Sequence, residues 1–507
     1  MIAVEDHNNG AFAAMRGINE DFFNTEGRKR LARVITFGCK MNDNDSEKIM
    51  GLLVNMGYEI EPPPPSGKFG NPASLGSLGY QRAEYTANGR QPDLVILNTC
   101  CVRGNAETRF FGILGSLKRY KTEDGSRILA VCGCMMQEDK AVSDILSKYR
   151  YVDFIFGTKA IPELPSLLFG VYSKQPGRGA AIPVINDITG EDPEDELPMY
   201  RKAPPLALIS VMRGCDNFCS YCIVPYVRGR EQSRAPEAVV EEAKRLASEG
   251  YREITLLGQN VNSYGNDIPG DLCDFAGLLE RLDAIGGIRR IRFMTSHPKD
   301  LSGRLIGAIR DLRAVCPQLH LPVQSGSTAV LERMNRGYSR EDYLTLVKKI
   351  RGAAPGVTLT TDVIVGFPGE SERDFDDTLT LVEEADFDLA YTFLFSPREG
   401  TAAAGYPDPV PENTAKERFN RLLNLQNRIS LKKNLACVGA EIEVLCEGAS
   451  KTNTGRYTGR TPGGKIVNFS CDIAGGGERL TGRFVNVLIE EARTWSFDGA
   501  AVNVYEY

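Results

Sequence analysis

Between residues 204 and 430, short apolar runs alternate with amphipathic stretches. The apolar runs fall at 206–211, 253–257, 290–294, 318–321, 359–365 and 389–395; the amphipathic stretches fall at 238–248, 275–284, 301–312, 340–353 and 375–385. Parallel strands need long crossovers, usually helical, so this alternation predicts a parallel β/α array. Six such units predict an open, partial barrel. Its chemistry is expected in the loops at the carboxyl ends of the strands.

The loop after the first strand carries Cys215, Cys219 and Cys222 in Cys-x3-Cys-x2-Cys spacing. Three thiolates on a four-iron cube leave one iron open for a substrate or cofactor. Ferredoxin-type clusters and structural zinc sites usually complete the set with a fourth ligand. A zinc knot with a distant fourth ligand is the plainer alternative. The chain has only three histidines, none near the triplet in sequence, but other cysteines could serve.

Residues 31–170 read as a second α/β unit. Strand-like runs at 33–37, 93–97 and 128–131 lead to Cys39, Cys100 and Cys134, with a helix expected over 43–56. Ligands gather beyond the carboxyl ends of strands in an open parallel sheet, which gives distant cysteines a reason to converge. Three separately buried structural cysteines are the alternative. Residues 1–30 read as a weakly structured extension, 61–91 as a Pro- and Gly-rich excursion, and 171–203 as a linker whose acidic run at 187–196 is solvated. From 433 to 507, short strands at 441–446, 465–470 and 483–490 between Gly-rich turns predict a small antiparallel β-barrel with a C-terminal tail.

The 507 residues suffice for several cores, and the hydrophobic fraction of 42% is ordinary. No apolar run is long enough to span a membrane, and the first 22 residues lack the pattern of a secretion signal. Cytoplasmic location is the expectation. Thirteen cysteines in a chain this long, several in short spacings, favour metal or redox chemistry over a disulfide framework. The net charge of -6 does not advertise a nucleic-acid binder, so RNA contact would need a local basic face. Arg228, Arg230 and Arg234 follow the triplet and suit phosphates or bases; a salt-bridged loop covering the site is the alternative.

Several segments together carry a resemblance: TFGCKMN at 36–42, NTCCVR at 98–103, CGCMMQ at 132–137 and CDNFCSYCIVPY at 215–226. They continue with LGQNVNSY at 257–264, TSHP at 295–298, HLPVQSGS at 320–327 and DVIVGFPGE at 362–370. Over residues 31 to 490 the chain resembles the radical S-adenosylmethionine (SAM) tRNA methylthiotransferases. It is most similar to the branch that adds a methylthio group to C2 of N6-isopentenyladenosine at position 37 of tRNA. Cys101 and Cys132 depart from that pattern by adding thiols beside Cys100 and Cys134.

The resemblance implies an α/β fold of three parts: an N-terminal methylthiotransferase domain (31–170), a central partial (β/α)6 radical SAM barrel (204–432) and a C-terminal TRAM β-barrel. It implies two four-iron–four-sulfur clusters, one on Cys215, Cys219 and Cys222 and an auxiliary one on Cys39, Cys100 and Cys134. One SAM would yield a 5′-deoxyadenosyl radical, and another would methylate a sulfur held at the auxiliary cluster. Gly258, Gln259, Ser296, Gln324, Asp362 and Gly366 are implied cofactor contacts. Arg228, Arg230 and Arg234, with Arg456, Arg460 and Lys465 of the TRAM domain, are implied contacts to a tRNA anticodon stem-loop. An electron donor such as flavodoxin or ferredoxin is the implied partner, and a monomer the default.

His297 and His320 lack the paired spacing of a zinc hydrolase and read as hydrogen-bonding or packing residues. Cys101, Cys132, Cys273, Cys316, Cys437, Cys446 and Cys471 read as packing thiols. Within the family the other branches, acting on threonylcarbamoyl-adenosine or on an aspartate of a ribosomal protein, are the alternatives. Outside it, the alternative is a noncatalytic iron–sulfur RNA-binding protein.

Overall fold

The computed structural model describes residues 2–61, 90–101, 104–173, 182–185, 197–270, 273–450, 453, 455–471 and 480–505, with the side chains of 2–9 and 104–106 excepted. Most of the 61–91 excursion, the acidic 187–196 run and residues 102–103 lie outside that set. The chain forms two compact units, one comprising Met1–Arg201 with Tyr226–Arg228, the other Lys202–Pro225 with Gly229–Tyr507.

The first unit is built on an all-parallel sheet of β1 (Leu31–Thr36), β2 (Glu59–Ile60), β3 (Leu94–Thr99), β4 (Ile128–Gly133), β5 (Phe154–Phe156) and β6 (Val184–Ile185). The strand order is β2-β1-β3-β4-β5-β6. Every residue of β3 and β4 is buried, as expected for strands covered on both faces. Chain order reverses between β1 and β3, the place where doubly wound sheets open a crevice at their carboxyl edge.

Two segments are more ordered than the sequence suggests. Ile2–Glu26 is a helix in which Met15 is fully buried, Asn19 donates to Met56 O at 2.7 Å and Arg16 to Asn55 O at 2.6 Å. Polar residues mask its one apolar stripe in sequence. The linker also contributes β6 to the sheet edge.

In the second unit β7 (Leu206–Ser210), β10 (Glu253–Leu257) and β11 (Arg290–Phe293) form one parallel sheet, ordered β11-β10-β7. The strands β12 (Gln318–His320), β13 (Thr358–Val365) and β14 (Leu389–Leu394) form another, ordered β12-β13-β14. A parallel bridge pairs Ile291 of β11 with Val315, just ahead of β12. A two-strand ribbon of β8 (Met212–Arg213) and β9 (Gln232–Ser233) stands beside the triplet loop. Helices outside the array start at built caps: Ser339 with Asp342, and Ser371 with Asp374, form reciprocal capping boxes.

The helix Glu412–Leu435 follows, and then a closed barrel of β15 (Glu441–Ala449), β16 (Tyr457–Arg460), β17 (Ile466–Ser470), β18 (Phe484–Ala492) and β19 (Ser496–Tyr505). The barrel departs from a purely antiparallel one, because β17 and β19 pair in parallel to close it. Two buried arginines fasten it to the β/α array. Arg290 donates to Arg460 O at 2.7 Å, and Arg292 donates to Thr461 O and Pro462 O at 2.8 Å while pairing with Glu253. No described helix is long and apolar enough to cross a membrane.

Candidate active site

Cys39, Cys100 and Cys134 sit just beyond the carboxyl ends of β1, β3 and β4, at and beside the order reversal. Close approach is possible because Gly38 carries no side chain. A Cβ there would stand 2.2 Å from Cys100 Cβ, and its φ of 106° also favours glycine. Asn42 lies between the thiols, its Oδ1 3.6 Å from Cys39 Sγ and 3.7 Å from Cys134 Sγ. Its amide donates to Phe37 O at 3.0 Å and Thr99 O at 2.6 Å, tying two strand ends together.

Two of the thiols here, Cys39 and Cys134, are held below the ordinary thiol range. A hydrogen bond from Cys100, helped by the Arg228 charge, brings the Cys39 thiol down to about 6. Cys39 also caps the helix Lys40–Asn55, where the helix dipole favours a thiolate. Cys134 is lowered too, first by a hydrogen bond from Cys101 and then by Arg228. Cys132, fully buried one residue before Gly133, is raised by burial. The structure therefore separates the two extra thiols: Cys101 touches the site and Cys132 belongs to the core.

In the second unit the triplet occupies the loop after β7. Gly214 has φ 72°, and a Cβ on it would meet Arg230 O at 1.9 Å, so the loop folds back tightly where it begins. Phe218 takes φ 45° and turns the chain between Cys215 and Cys219. Ser220 donates from N to Met334 O at 3.0 Å and from Oγ to Arg333 O at 2.8 Å, and Asn335 donates to Phe218 O at 3.0 Å. Asn217 donates to Cys215 Sγ at 3.4 Å and Arg336 to Cys219 Sγ at 3.3 Å. Burial pushes the Cys222 thiol up to about 12 and raises Cys215. Loading metal here must release protons, because the ligating form is the thiolate.

The donor set fits iron–sulfur clusters. Two groups of soft thiols each receive a guanidinium N–H, Arg336 on Cys219 and Arg228 on Cys134. Among the described residues no three His, Cys, Asp or Glu side chains stand close enough to hold a single metal ion. Corners of a cube, each holding its own iron, lie farther apart than ligands of one ion.

At the carboxyl ends of β10 and β11, Gln259 Oε1, Ser296 Oγ and His297 Nε2 are buried without a hydrogen-bond partner. Buried polar atoms ordinarily have one, so this shell fits a polar small molecule. His297 Nδ1 accepts from Lys299 N, which leaves the proton of the neutral ring on Nε2. Gln324 is held at φ 72° by backbone bonds to Asp362 O and Ile364 N. Gly258 is packed on Met212, where a Cβ would fall 2.5 Å from Cγ. Asp362 Oδ2 lies 3.4 Å from His320 Nε2, and a Cβ on Gly366 would meet Ala415 Cβ at 2.8 Å, so that glycine admits a helix. The sequence assigns no role to Arg336 or Asn42: Arg336 lies outside every recognisable segment, and Asn42 ends the motif at 36–42 without a thiol to mark it.

Most of the arginines expected on RNA are paired within the fold. Arg228 binds Asp45 at 2.7 Å with their side chains only 9% and 3% exposed. Arg234 binds Glu242 and Ser210 O, Arg456 binds Asp498, Arg460 binds Glu447, and Lys465 binds Asn434 and Asp388. For Arg228 and Arg234 the salt-bridged alternative describes what is seen. Arg230 stays 71% exposed, its guanidinium 4.8 Å from the Phe218 ring centroid and near Asp216.

The Radical SAM superfamily matches residues 209–382, the TRAM domain 435–502, and the Uncharacterized protein family UPF0004 residues 73–157. A tRNA-2-methylthio-N(6)-dimethylallyladenosine synthase from Acetivibrio thermocellus is 49% identical over 476 residues, covering 94% of this chain and 92% of that one. This chain belongs to the radical SAM methylthiotransferases. Synthases of the same name from Alkaliphilus oremlandii (47% identical; 94% of this chain and 93% of that one) and Thermoanaerobacter pseudethanolicus (46%; 94% of each) agree. A radical SAM methyltransferase from Kitasatospora setae, TsrM, shares the fold at TM-score 0.50 and 16% identity, covering 82% of this chain and 76% of that one. As a methylthiotransferase the chain is an enzyme that uses SAM and iron–sulfur chemistry.

Proposed function

We propose that this methylthiotransferase adds a methylthio group to C2 of the isopentenyl-bearing (dimethylallyl) adenosine beside the tRNA anticodon. The observation that carries the reading is the pairing of two separate thiol sets with near-full-length similarity to synthases of that nucleoside. Cys215, Cys219 and Cys222 hold one cluster and Cys39, Cys100 and Cys134 a second. When bound, these clusters supply a one-electron reduction of SAM and an inserted sulfur, chemistry that no side chain offers.

The chain's own residues bind and orient. Gln259, Ser296 and His297 offer buried polar atoms to the cofactor, and Gln324 lends a strained strand end. Tyr391 and Phe393 on β14, 49% and 38% exposed, present aromatic surface suited to a prenylated base. Arg230 beside the triplet is the arginine best placed to reach phosphate. Electrons come from a small flavodoxin- or ferredoxin-type donor, and the reaction takes place in the cytoplasm.

The test is mass spectrometry of tRNA nucleosides from a strain lacking the gene and from the same strain complemented. Loss and return of the methylthio group on isopentenyladenosine is expected. An intact nucleoside in the deletion strain overturns the reading, and the threonylcarbamoyl nucleoside and the ribosomal aspartate are then examined.

A further inference from the structure

Arg228 follows Cys222 by only a few residues, yet it packs in the first unit with Tyr226 and Val227. Its Nε donates to Cys134 Sγ at 3.1 Å, while Nη2 donates to Asn42 Oδ1 at 3.0 Å and Asp45 Oδ2 at 2.7 Å. We infer that Arg228 is a positioning residue of the auxiliary site, which aims an N–H at the Cys134 sulfur and raises the reduction potential of the cluster held there. The inference rests on reading Cys39, Cys100 and Cys134 as that cluster's ligands.

A buried ion pair alone says little about function, because desolvation offsets most of its attraction. Here the guanidinium does more than pair. Asp45 and Asn42 both accept from Nη2 of the planar group, and this fixes the direction of the Nε–H toward sulfur. Asn42 is itself locked to the ends of β1 and β3. Outer partners of this kind orient ligands and tune the metal. A hydrogen bond and a positive charge at a ligand sulfur both favour the reduced cluster, which carries one more negative charge. Lysine would keep the charge but has no rigid fork.

The test uses the full chain with Cys215, Cys219 and Cys222 changed to Ala, so that only the auxiliary cluster remains. After anaerobic reconstitution, iron per chain and the midpoint potential are measured with Arg228 intact, as Arg228→Lys and as Arg228→Gln. If the parent binds no iron, the ligand assignment fails and the inference goes with it. If the parent binds iron, Arg228→Gln is expected to shift the potential downward, with Arg228→Lys between. An unchanged potential at full iron content in Arg228→Gln overturns the inference. Should Arg228→Gln hold no iron, Arg228→Lys decides: a lowered potential supports the inference and a parental one overturns it. If neither variant holds iron, thermal unfolding of the iron-free chains is read. Parental midpoints show that Arg228 holds the ligand set and support the inference; lowered midpoints reduce the residue to a structural ion pair and overturn it.

Discussion

Arg336 donates an Nη1–H to the sulfur of Cys219 across 3.3 Å, from a residue only 4% exposed. The same guanidinium donates to Pro322 O at 2.8 Å and to Tyr338 Oη at 2.9 Å, so its direction is fixed before any cluster arrives. A fully buried cation beside three thiols is best balanced when those thiols are thiolates on iron.

Arg336→Met is therefore expected to loosen the triplet's hold on iron. A hydrogen bond to a charged group contributes about 1.5–3 kcal/mol, so iron affinity should fall by roughly tenfold or more. Iron loss to a chelator, followed in a Cys39/Cys100/Cys134→Ala background, measures this. Parental retention would show that Arg336 serves the loop fold only.

The two thiol sets should separate two activities. Changing Cys39, Cys100 and Cys134 to Ala should leave reductive SAM cleavage in place and abolish methylthio transfer, with the loss of about one cluster's iron. Changing Cys215, Cys219 and Cys222 should abolish 5′-deoxyadenosine formation. Persistent enzyme-dependent 5′-deoxyadenosine in that second variant would remove the triplet from its role.

Burial, with Arg336 and Lys299 nearby, brings His297 down to about 2 from its ordinary 6.5. The folded chain then refuses a proton that the unfolded chain accepts between those values. The contribution is fully present above about pH 6.5 and is lost as pH falls below it, with a limiting slope of about 1.4 kcal/mol per pH unit. Thermal midpoints of the iron-free chain at neutral and mildly acidic pH should converge in His297→Gln relative to the parent. An equally steep fall in the variant sinks the assignment.

Arg292→Ala should free the C-terminal barrel from the β/α array. The change leaves Glu253, only 5% exposed, with just the longer 3.9 Å pairing to Arg290, and strips donors from Thr461 O and Pro462 O. Breaking one partner of a buried pair costs about 3–5 kcal/mol. Limited proteolysis should then cut near residue 435 earlier than in the parent; identical cleavage kinetics would refute the anchoring role.

Arg230→Ala should weaken tRNA binding and reduce its salt slope by about one. Arg456, already committed to Asp498 at 2.9 Å, should when changed to Ala destabilise the barrel and leave tRNA affinity near parental. Filter binding at several salt concentrations distinguishes them. The reverse pattern would return Arg456 to the RNA surface.

Local patterning made much of this protein legible. The run Glu253–Leu257 appears as β10 with the expected bounds, and Arg340–Ala353 as the expected helix, because period and capping residues are written in consecutive positions. The helix Ile2–Glu26 was missed because few apolar residues mark its buried side; its stability comes from Met56 O, Asn55 O and the core around Met15. The β17–β19 pairing was equally hidden, since no turn signal reports a parallel closure between segments distant in sequence.

The sequence by itself determined which residues can do chemistry here: thiols at strand ends, their spacing, and the alternation that builds a parallel array. These follow from neighbours a few positions apart. Only the tertiary structure decided what surrounds the thiols. Arg228 meets Asp45 across 183 positions and Arg336 meets Cys219 across 117. A basic residue reads the same in sequence whether it faces a phosphate or a buried carboxylate. Burial and pairing are set by the packed fold, which gives most of the basic residues expected on RNA a carboxylate partner and aims two guanidinium groups at sulfur.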